Sequence, residues 1–202
     1  VNAGNSITSG GNYNVVVGDE AGTAITTGDS NTAMGVEALY TNTTASNNTA
    51  IGKGALKDNT SGTSNTALGK EALTNNTTAS NNTGIGQAAL YTNTTGASNT
   101  AVGASALVAN TTAANNTAVG YASLNANTTG AENTAQGLNS LYSNTTGSSN
   151  VALGRSALEA NTTAANNTAV GRSALEANTT GDSSTAVGKD SMKTNTTGRF
   201  NS

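Results

Sequence analysis

The 202-residue sequence contains no histidine, cysteine, proline or tryptophan, and only 9% of its residues are charged. Without histidine and cysteine, the usual nucleophile–base pairs and most transition-metal sites are excluded. The lack of cysteine excludes disulfides but does not fix the compartment, because proteins of any compartment can lack them. The absence of proline suits continuous hydrogen-bonded strands, which proline would interrupt.

Charge is also too sparse for several classes of partner. The net charge is −3, and the eight basic residues form no stripe interleaved with aromatic residues. We therefore expect no nucleic-acid binding, which needs such an electrostatic footprint. No apolar run approaches the length of a membrane span, so we expect no membrane insertion.

What the sequence does contain is a strict 17-residue repeat without insertion or deletion. Each repeat carries a pentapeptide whose commonest form is Asn-Thr-Ala-Val-Gly. Its final residue, the repeat glycine, falls at Gly18, Gly35, Gly52, Gly69, Gly86, Gly103, Gly120, Gly137, Gly154, Gly171 and Gly188. A fixed short period is typical of one structural unit stacked many times. We predict an all-β solenoid, a β-roll or β-helix with 17-residue coils, as a single domain over residues 1–202 in about eleven coils.

The two ends of the sequence fit into the same repeat. Val1 occupies the position of a repeat glycine, and Asn201 and Ser202 open another pentapeptide. Neither end shows a dedicated cap. We therefore expect the chain to be a fragment of a longer repetitive assembly, or a processed subunit whose ends meet other chains.

The pentapeptide predicts a short strand. In Thr168-Ala169-Val170, Thr168 and Val170 share one face and Ala169 takes the other, because neighbours along a strand face opposite sides. One column is large and apolar in almost every repeat, and the other is alanine. One of these columns fills the coil interior, and the other permits a close approach. We expect each coil to bury about two large apolar side chains.

Turn residues and a leucine follow the strand. The glycine predicts a turn with positive φ or tight contact, and the leucine four residues later is expected to pack inward. The stretch from Arg172 to Asn178 favours one short helical turn, with Arg172 and Glu176 meeting at i, i+4; a second strand is the alternative. Two asparagines per coil are expected to stack into amide ladders. The structural positions are Gly35, Gly52, Gly69, Gly103, Gly120, Gly154, Gly171, Asn48, Asn65, Asn99, Asn116, Asn167, Leu56, Leu73, Leu158 and Leu175.

Chemistry on this scaffold has few candidates. Glu159 and Glu176 occupy equivalent positions, so stacking would bring them to the separation of a retaining glycosidase pair; a solvated charge ladder with Arg155 and Arg172 is favoured instead. We predict no catalytic residue, no cofactor and no metal site. Calcium at some of the acidic residues is the weaker alternative, and its candidate ligands are Asp19, Glu20, Asp29, Asp182 and Asp190.

Two residue types suggest surface binding. The Asn-Thr-Thr triplets place threonine columns along the rod, as ice-binding solenoids do. Adjacent threonines of a strand would face opposite ways, which gives one column per face and not a paired array. Exposed tyrosines could stack on sugars, although a lone tyrosine more often covers an apolar patch.

The order Asn-Thr-Ala-Val-Gly, Ala-Leu and Asn-Thr-Thr-Gly resembles the repeats of bacteriophage tail-fibre proteins over about residues 12–201. It is also similar to the head repeats of trimeric autotransporter adhesins, which have a shorter period. The resemblance implies a parallel homotrimer of β-solenoids outside the cell or on the virion. We expect a structural shaft that supports host or surface attachment and is not an enzyme. The alternative is a solenoid that itself recognises cell-surface glycan or ice.

Overall fold

The computed structural model describes residues 3–7 and 10–202, and its regular structure is one parallel sheet. The predicted place of Val1 in the repeat lies outside the described residues. Eleven three-residue strands follow one another in chain order across the sheet. They are β1 (Val15–Val17), β2 (Thr32–Met34), β3 (Thr49–Ile51), β4 (Thr66–Leu68), β5 (Thr83–Ile85), β6 (Thr100–Val102), β7 (Thr117–Val119), β8 (Thr134–Gln136), β9 (Val151–Leu153), β10 (Thr168–Val170) and β11 (Thr185–Val187).

Every strand pairs with the next in the same register. Thr100 lies opposite Thr117, and Ala101 lies opposite Ala118, so each residue meets its equivalent 17 positions later. This pairing makes the chain a parallel β-solenoid with one 17-residue repeat per coil. With neighbouring strands ~4.8 Å apart, the eleven strands span a rod about 50 Å long.

The strand alanines point into the coil, and their neighbours point out. Ala101, Ala118 and Ala169 are fully buried, whereas the threonine and the large aliphatic residue on either side are half-buried or exposed. The alanine column packs against the column of buried leucines inside the coil. The space is narrow: a Cβ added at Gly84, which replaces alanine in β5, would lie 3.3 Å from Leu73 Cδ1. The interior therefore admits alanine opposite leucine and excludes a larger side chain. The expectation of two large apolar side chains inside each coil is wrong: from Leu39 to Leu175 each coil buries one leucine, and the aliphatic strand residue lies outside.

The leucine column lies at the centre of the coils, as the sequence predicts. Leu56, Leu73, Leu158 and Leu175 are all fully buried. Their backbone has an unexpected conformation, with φ near +51° at Leu56 and +52° at Leu73. Left-handed backbone is uncommon outside glycine and is least accessible to β-branched residues. This explains why every repeat from Leu39 onwards has leucine or methionine at this position, and none has valine or isoleucine.

The short helical turn expected after the glycine is absent from the described residues, and so is a second strand. The backbone instead forms successive turns, in which Ser105 and Leu107 both have positive φ. The amide of Leu107 donates to the carbonyl of Ser123 in the next coil at 3.0 Å. A helix would direct this donor to its own turn, so hydrogen bonding between coils replaces local helix formation.

The repeat glycine closes each strand with a conformation and a contact that only glycine tolerates. Gly120 has φ of +134°, and a Cβ added there would lie 2.6 Å from the carbonyl oxygen of Gly137 in the next coil. No real Cβ approaches a backbone atom so closely. Two coils can stack at the strand spacing only where the earlier coil lacks a side chain at this position, because its Cβ would meet the backbone of the next coil.

We predict that Gly120→Ala lowers the free energy of unfolding by at least ~2 kcal/mol, because it combines backbone strain with overpacking. Gly54→Ser is the matched control. Gly54 also has positive φ, but its added Cβ meets only Glu71 Cγ at 3.8 Å, and Ser105 already occupies the equivalent position. Urea unfolding followed by circular dichroism measures both variants; equal losses would contradict the contact argument.

The pentapeptide asparagines are buried and link side chains to backbone. Asn116 is fully buried. Its backbone amide donates to Asn99 Oδ1 at 2.9 Å, and its Nδ2 donates to the carbonyl of Gly130 at 3.0 Å. The same arrangement recurs at Asn48, Asn65 and Asn167. Each side-chain oxygen therefore accepts from the backbone amide that precedes the strand of the next coil, and each side-chain nitrogen donates to the turn that closes its own coil. Among the described coils, the amide-to-amide bond that the sequence predicts for this column is found only at Asn65 and Asn150.

The asparagines of the Asn-Thr-Thr triplets form the amide ladder that the sequence predicts. Asn110 Nδ2 donates to Asn93 Oδ1 at 2.8 Å, and Asn110 Oδ1 accepts from Asn127 Nδ2 at 3.0 Å. A second bond from Asn110 Nδ2 reaches the carbonyl of Ala113 at 3.0 Å. Within the described coils, every buried side-chain nitrogen and oxygen has a hydrogen-bond partner.

We predict that Asn110→Ala lowers the free energy of unfolding by roughly 2 kcal/mol or more, because it leaves buried Asn93 Oδ1 without a donor and removes one of the two donors of the Ala113 carbonyl, of which Asn99 Nδ2 remains. Asn75→Ala is the control: Asn75 is half-buried, and alanine stands at the equivalent position in Ala109. Denaturant unfolding of both variants tests the ladder. A loss at position 75 as large as that at position 110 would refute it.

Candidate functional surfaces

The outward side chains of the sheet form an uncharged surface along the described rod, which we call the strand face. It consists of a threonine column and an aliphatic column, separated by the buried alanines. The threonines are Thr32, Thr49, Thr66, Thr83, Thr100, Thr117, Thr134, Thr168 and Thr185, and the aliphatic residues are Met34, Ile51, Leu68, Ile85, Val102, Val119, Leu153, Val170 and Val187. Met34 and Leu68 are each 41% exposed. No strand carries a charged residue.

The threonine hydroxyls of the strand face have no protein partner in the described part of the chain. The first threonines of the Asn-Thr-Thr triplets differ, because their hydroxyls bond the backbone of the next coil. Thr94 Oγ1 donates to the Thr111 carbonyl at 3.0 Å, and Thr111 Oγ1 donates to the Thr128 carbonyl at 3.1 Å. The strand face therefore offers its hydroxyls to solvent, whereas the first threonines of most triplets use theirs to hold coils together.

The threonine pairs of the triplets do not follow the alternation of a strand. Thr111 is half-buried and Thr112 is exposed, so both side chains lie on the outside of the coil. The reason is that this segment forms a bend and not an extended strand. The second threonines add one exposed column, at Thr44, Thr78, Thr95, Thr112, Thr129, Thr146, Thr163, Thr180 and Thr197.

Three of the five tyrosines share one repeat position. Tyr40, Tyr91 and Tyr142 each lie five residues after a repeat glycine, so they stand in one column at intervals of three coils. Such an interval is about 14 Å at the strand spacing. Tyr13 and Tyr121 lie at other positions, and both are more exposed. A surface hollow of about 380 Å³ adjoins Tyr40 and is lined also by Ser6, Thr23, Ala24 and Thr41.

Lys57 stands at the tyrosine-column position one coil after Tyr40, and it pairs with Glu37 of the preceding coil. Lys57 Nζ lies 2.9 Å from Glu37 Oε2 and 5.8 Å from the ring centre of Tyr40. The hydrogen bond to Glu37 raises the pKa of Lys57, so the ammonium stays charged. Both side chains are about one-third exposed, and such pairs contribute little stability.

The two stacked carboxylates do not form the expected ladder with arginine. Glu176 pairs with Lys193 of the following coil at 3.3 Å, and within the described coils neither Arg155 nor Arg172 forms an ion pair. The Ser173 hydroxyl, followed by Lys193, lowers the pKa of Glu176. A glycosidase acid needs a raised pKa, so this carboxyl is poorly suited to that role. Glu159 and Glu176 line a surface hollow of about 390 Å³ with Ser143, Ala160, Ala177, Lys193 and Thr194.

The acidic residues do not converge on a cation site. Across residues 3–7 and 10–202, no three acidic side chains come close enough to hold one metal ion. Asp182 bonds to Arg199 at 3.0 Å, and Asp190 lies 3.7 Å from Lys189. The same residues form no helix long and apolar enough to cross a membrane.

Comparison of the chain with protein-family models, with curated proteins and with solved structures gives no match. The geometry of the rod therefore carries the functional argument. The sequence pattern pointed to the threonines of the triplets and to scattered tyrosines. It missed the strand face, although one signal was present: the aliphatic column admits Gln136, which a packed interior would not.

Proposed function

We propose that the chain is a structural shaft of an extracellular or virion fibre, which supports attachment to a host or another surface. The unbroken register carries this proposal: eleven strands stack without an offset, and two asparagine columns hydrogen-bond from coil to coil along the rod. Such a structure transmits position and force along its axis. Its surface hollows are shallow and shared by several coils, which suits a support better than a small-molecule enzyme.

The shaft assembles as a parallel homotrimer in this proposal, as the resemblance to tail fibres and adhesin heads implies. The thin interior of each coil supports self-association. A coil such as that of Leu107 buries one large apolar side chain together with alanines. Burying one leucine contributes about 1.5–3 kcal/mol, which is small against the cost of ordering 17 residues at about 1–2 kcal/mol each. Contacts between chains would add to this stabilisation.

Light scattering coupled to size-exclusion chromatography tests the assembly. We expect a mass three times that of the chain, unchanged on dilution through the micromolar range. A mass equal to one chain at every concentration would remove the homotrimer and weaken the shaft proposal. Chemical crosslinking at matched concentrations provides an independent count of chains.

Glycan binding by the tyrosine column is a second candidate function. Equal spacing of Tyr40, Tyr91 and Tyr142 presents three aromatic rings along one side of the rod, where a linear polysaccharide could contact several at once. Aromatic faces stack on apolar sugar faces, and repeated weak contacts add through effective concentration. The mixed charges near the column, such as Lys57 and Glu37, favour a neutral polysaccharide over a strongly charged one.

We predict that replacing all three tyrosines by alanine weakens retention on immobilised neutral polysaccharides, with about 1 kcal/mol lost per ring. Tyr121→Ala is the control, because Tyr121 is 61% exposed but lies outside the column. Affinity electrophoresis through gels containing dextran, xylan or soluble cellulose derivatives measures the difference. Unretarded migration of the unmodified chain in all three gels would reject this candidate.

A further inference from the structure

We propose that the strand face binds ice, through its paired columns of threonine and aliphatic side chains. This inference is independent of the homotrimer, because it rests on one surface of the single rod. The ligand is a crystalline lattice of water, and the binding groups are hydroxyls and methyl groups that no other part of the described chain uses.

The strand face repeats in two directions. Along the rod, equivalent residues such as Thr83, Thr100 and Thr117 pair directly with one another, so their spacing is that of the strands, ~4.8 Å. Across the rod, Thr100 and Val102 are two residues apart on one strand, which separates their Cα atoms by about 6.6 Å. A surface with a regular two-dimensional repeat can order water at many points at once, whereas an irregular surface cannot.

The chemistry of the face suits ordered water. Each threonine supplies a hydroxyl with no protein partner and a methyl group, and the aliphatic column supplies further methyl groups. Hydroxyls can anchor individual waters, and apolar groups favour water that bonds to its own neighbours. Charged groups would hold strongly oriented hydration shells of their own. They are absent from the strands and lie beyond their ends, after the repeat glycine at Lys53 and Lys70 and before the strand at Asp29 and Glu132.

A second copy of the chain is the other occupant to consider, and the area and the hydroxyls argue against it. Two columns along a 50 Å rod cover about 500 Å², whereas a standard interface buries roughly 800 Å² per partner. A protein partner would also have to supply acceptors or donors for nine threonine hydroxyls, since burying a hydroxyl without a partner costs free energy. Ice satisfies every hydroxyl with water.

The array is most regular in the first half of the rod. From β2 to β7, six consecutive strands carry threonine in one column and methionine, isoleucine, leucine or valine in the other. Gln136 then interrupts the aliphatic column, and Val151 interrupts the threonine column. Thr83 in β5 lies near the centre of the uninterrupted patch and Thr117 in β7 at its end, so changes at both leave only β2 to β4 as uninterrupted neighbours.

The test uses the whole chain with ice as the probe. We expect the unmodified protein to show thermal hysteresis and to inhibit ice recrystallisation. A Thr83→Lys/Thr117→Lys variant should lose most of this activity, because two charged side chains would interrupt the array and leave at most three consecutive regular strands, β2 to β4. Thr95→Lys/Thr129→Lys is the matched control: it places the same two lysines, also two coils apart, on the exposed triplet column, and it should retain the activity.

Far-UV circular dichroism of each variant shows whether the solenoid is intact. As a second readout, a fluorescently labelled chain should adsorb to a growing ice crystal, and a milder Thr83→Val/Thr117→Val variant should stay folded and adsorb less. Absence of hysteresis and of adsorption in the unmodified chain would overturn the inference, as would equal losses in the two lysine variants. A trimer without ice activity would overturn the ice-binding inference and leave the shaft proposal standing. A single chain with ice activity would support the ice-binding inference and remove the homotrimer.

Discussion

The backbone hydrogen bond between equivalent residues of successive coils is the interaction on which the whole molecule depends. Each strand, each turn after the leucine and each asparagine column directs its donors to a residue about 17 positions away. Because the coil-to-coil distance is fixed by this bond, a side chain that would separate two coils is disfavoured. The repeat glycine marks one such close approach, where the Cα of one coil faces the carbonyl of the next.

Coils held at this close spacing are narrow, so they have little room for a core of large apolar side chains. Their interior is one leucine column, alanines and buried asparagine amides, with all the buried polar atoms of the described coils hydrogen-bonded. An amide ladder is effective here since each side chain donates to one neighbour and accepts from another, which leaves no group unpaired. The left-handed backbone at the leucines has a conformational cost, and the contacts between coils offset it.

Much of this architecture can be predicted from the sequence, because the period is free of insertions and each position keeps its chemical type. The coil length, the parallel register, the inward leucine and the asparagine ladder all follow from that pattern. The conformation after the glycine does not: residues 172–178 are good helix formers, and only the demand for hydrogen bonds between coils overrides that preference. The direction of the strand side chains does not follow either: an alternation of alanine and valine is consistent with either column being inside, and the expectation of two large buried side chains per coil was wrong.

That direction decides what the surface of the rod can do. Had the aliphatic column filled the interior, the outside of the sheet would be a column of alanines with little to offer a ligand. With alanine inside, the narrow coil places Thr100 and Val102, and their equivalents in the other coils, on an outer face that is regular and uncharged. The same size limit that keeps the coil thin thus generates the surface. A rod that repeats its internal contacts every 17 residues necessarily repeats its external ones, and a repeating ligand is the partner that such a face can match.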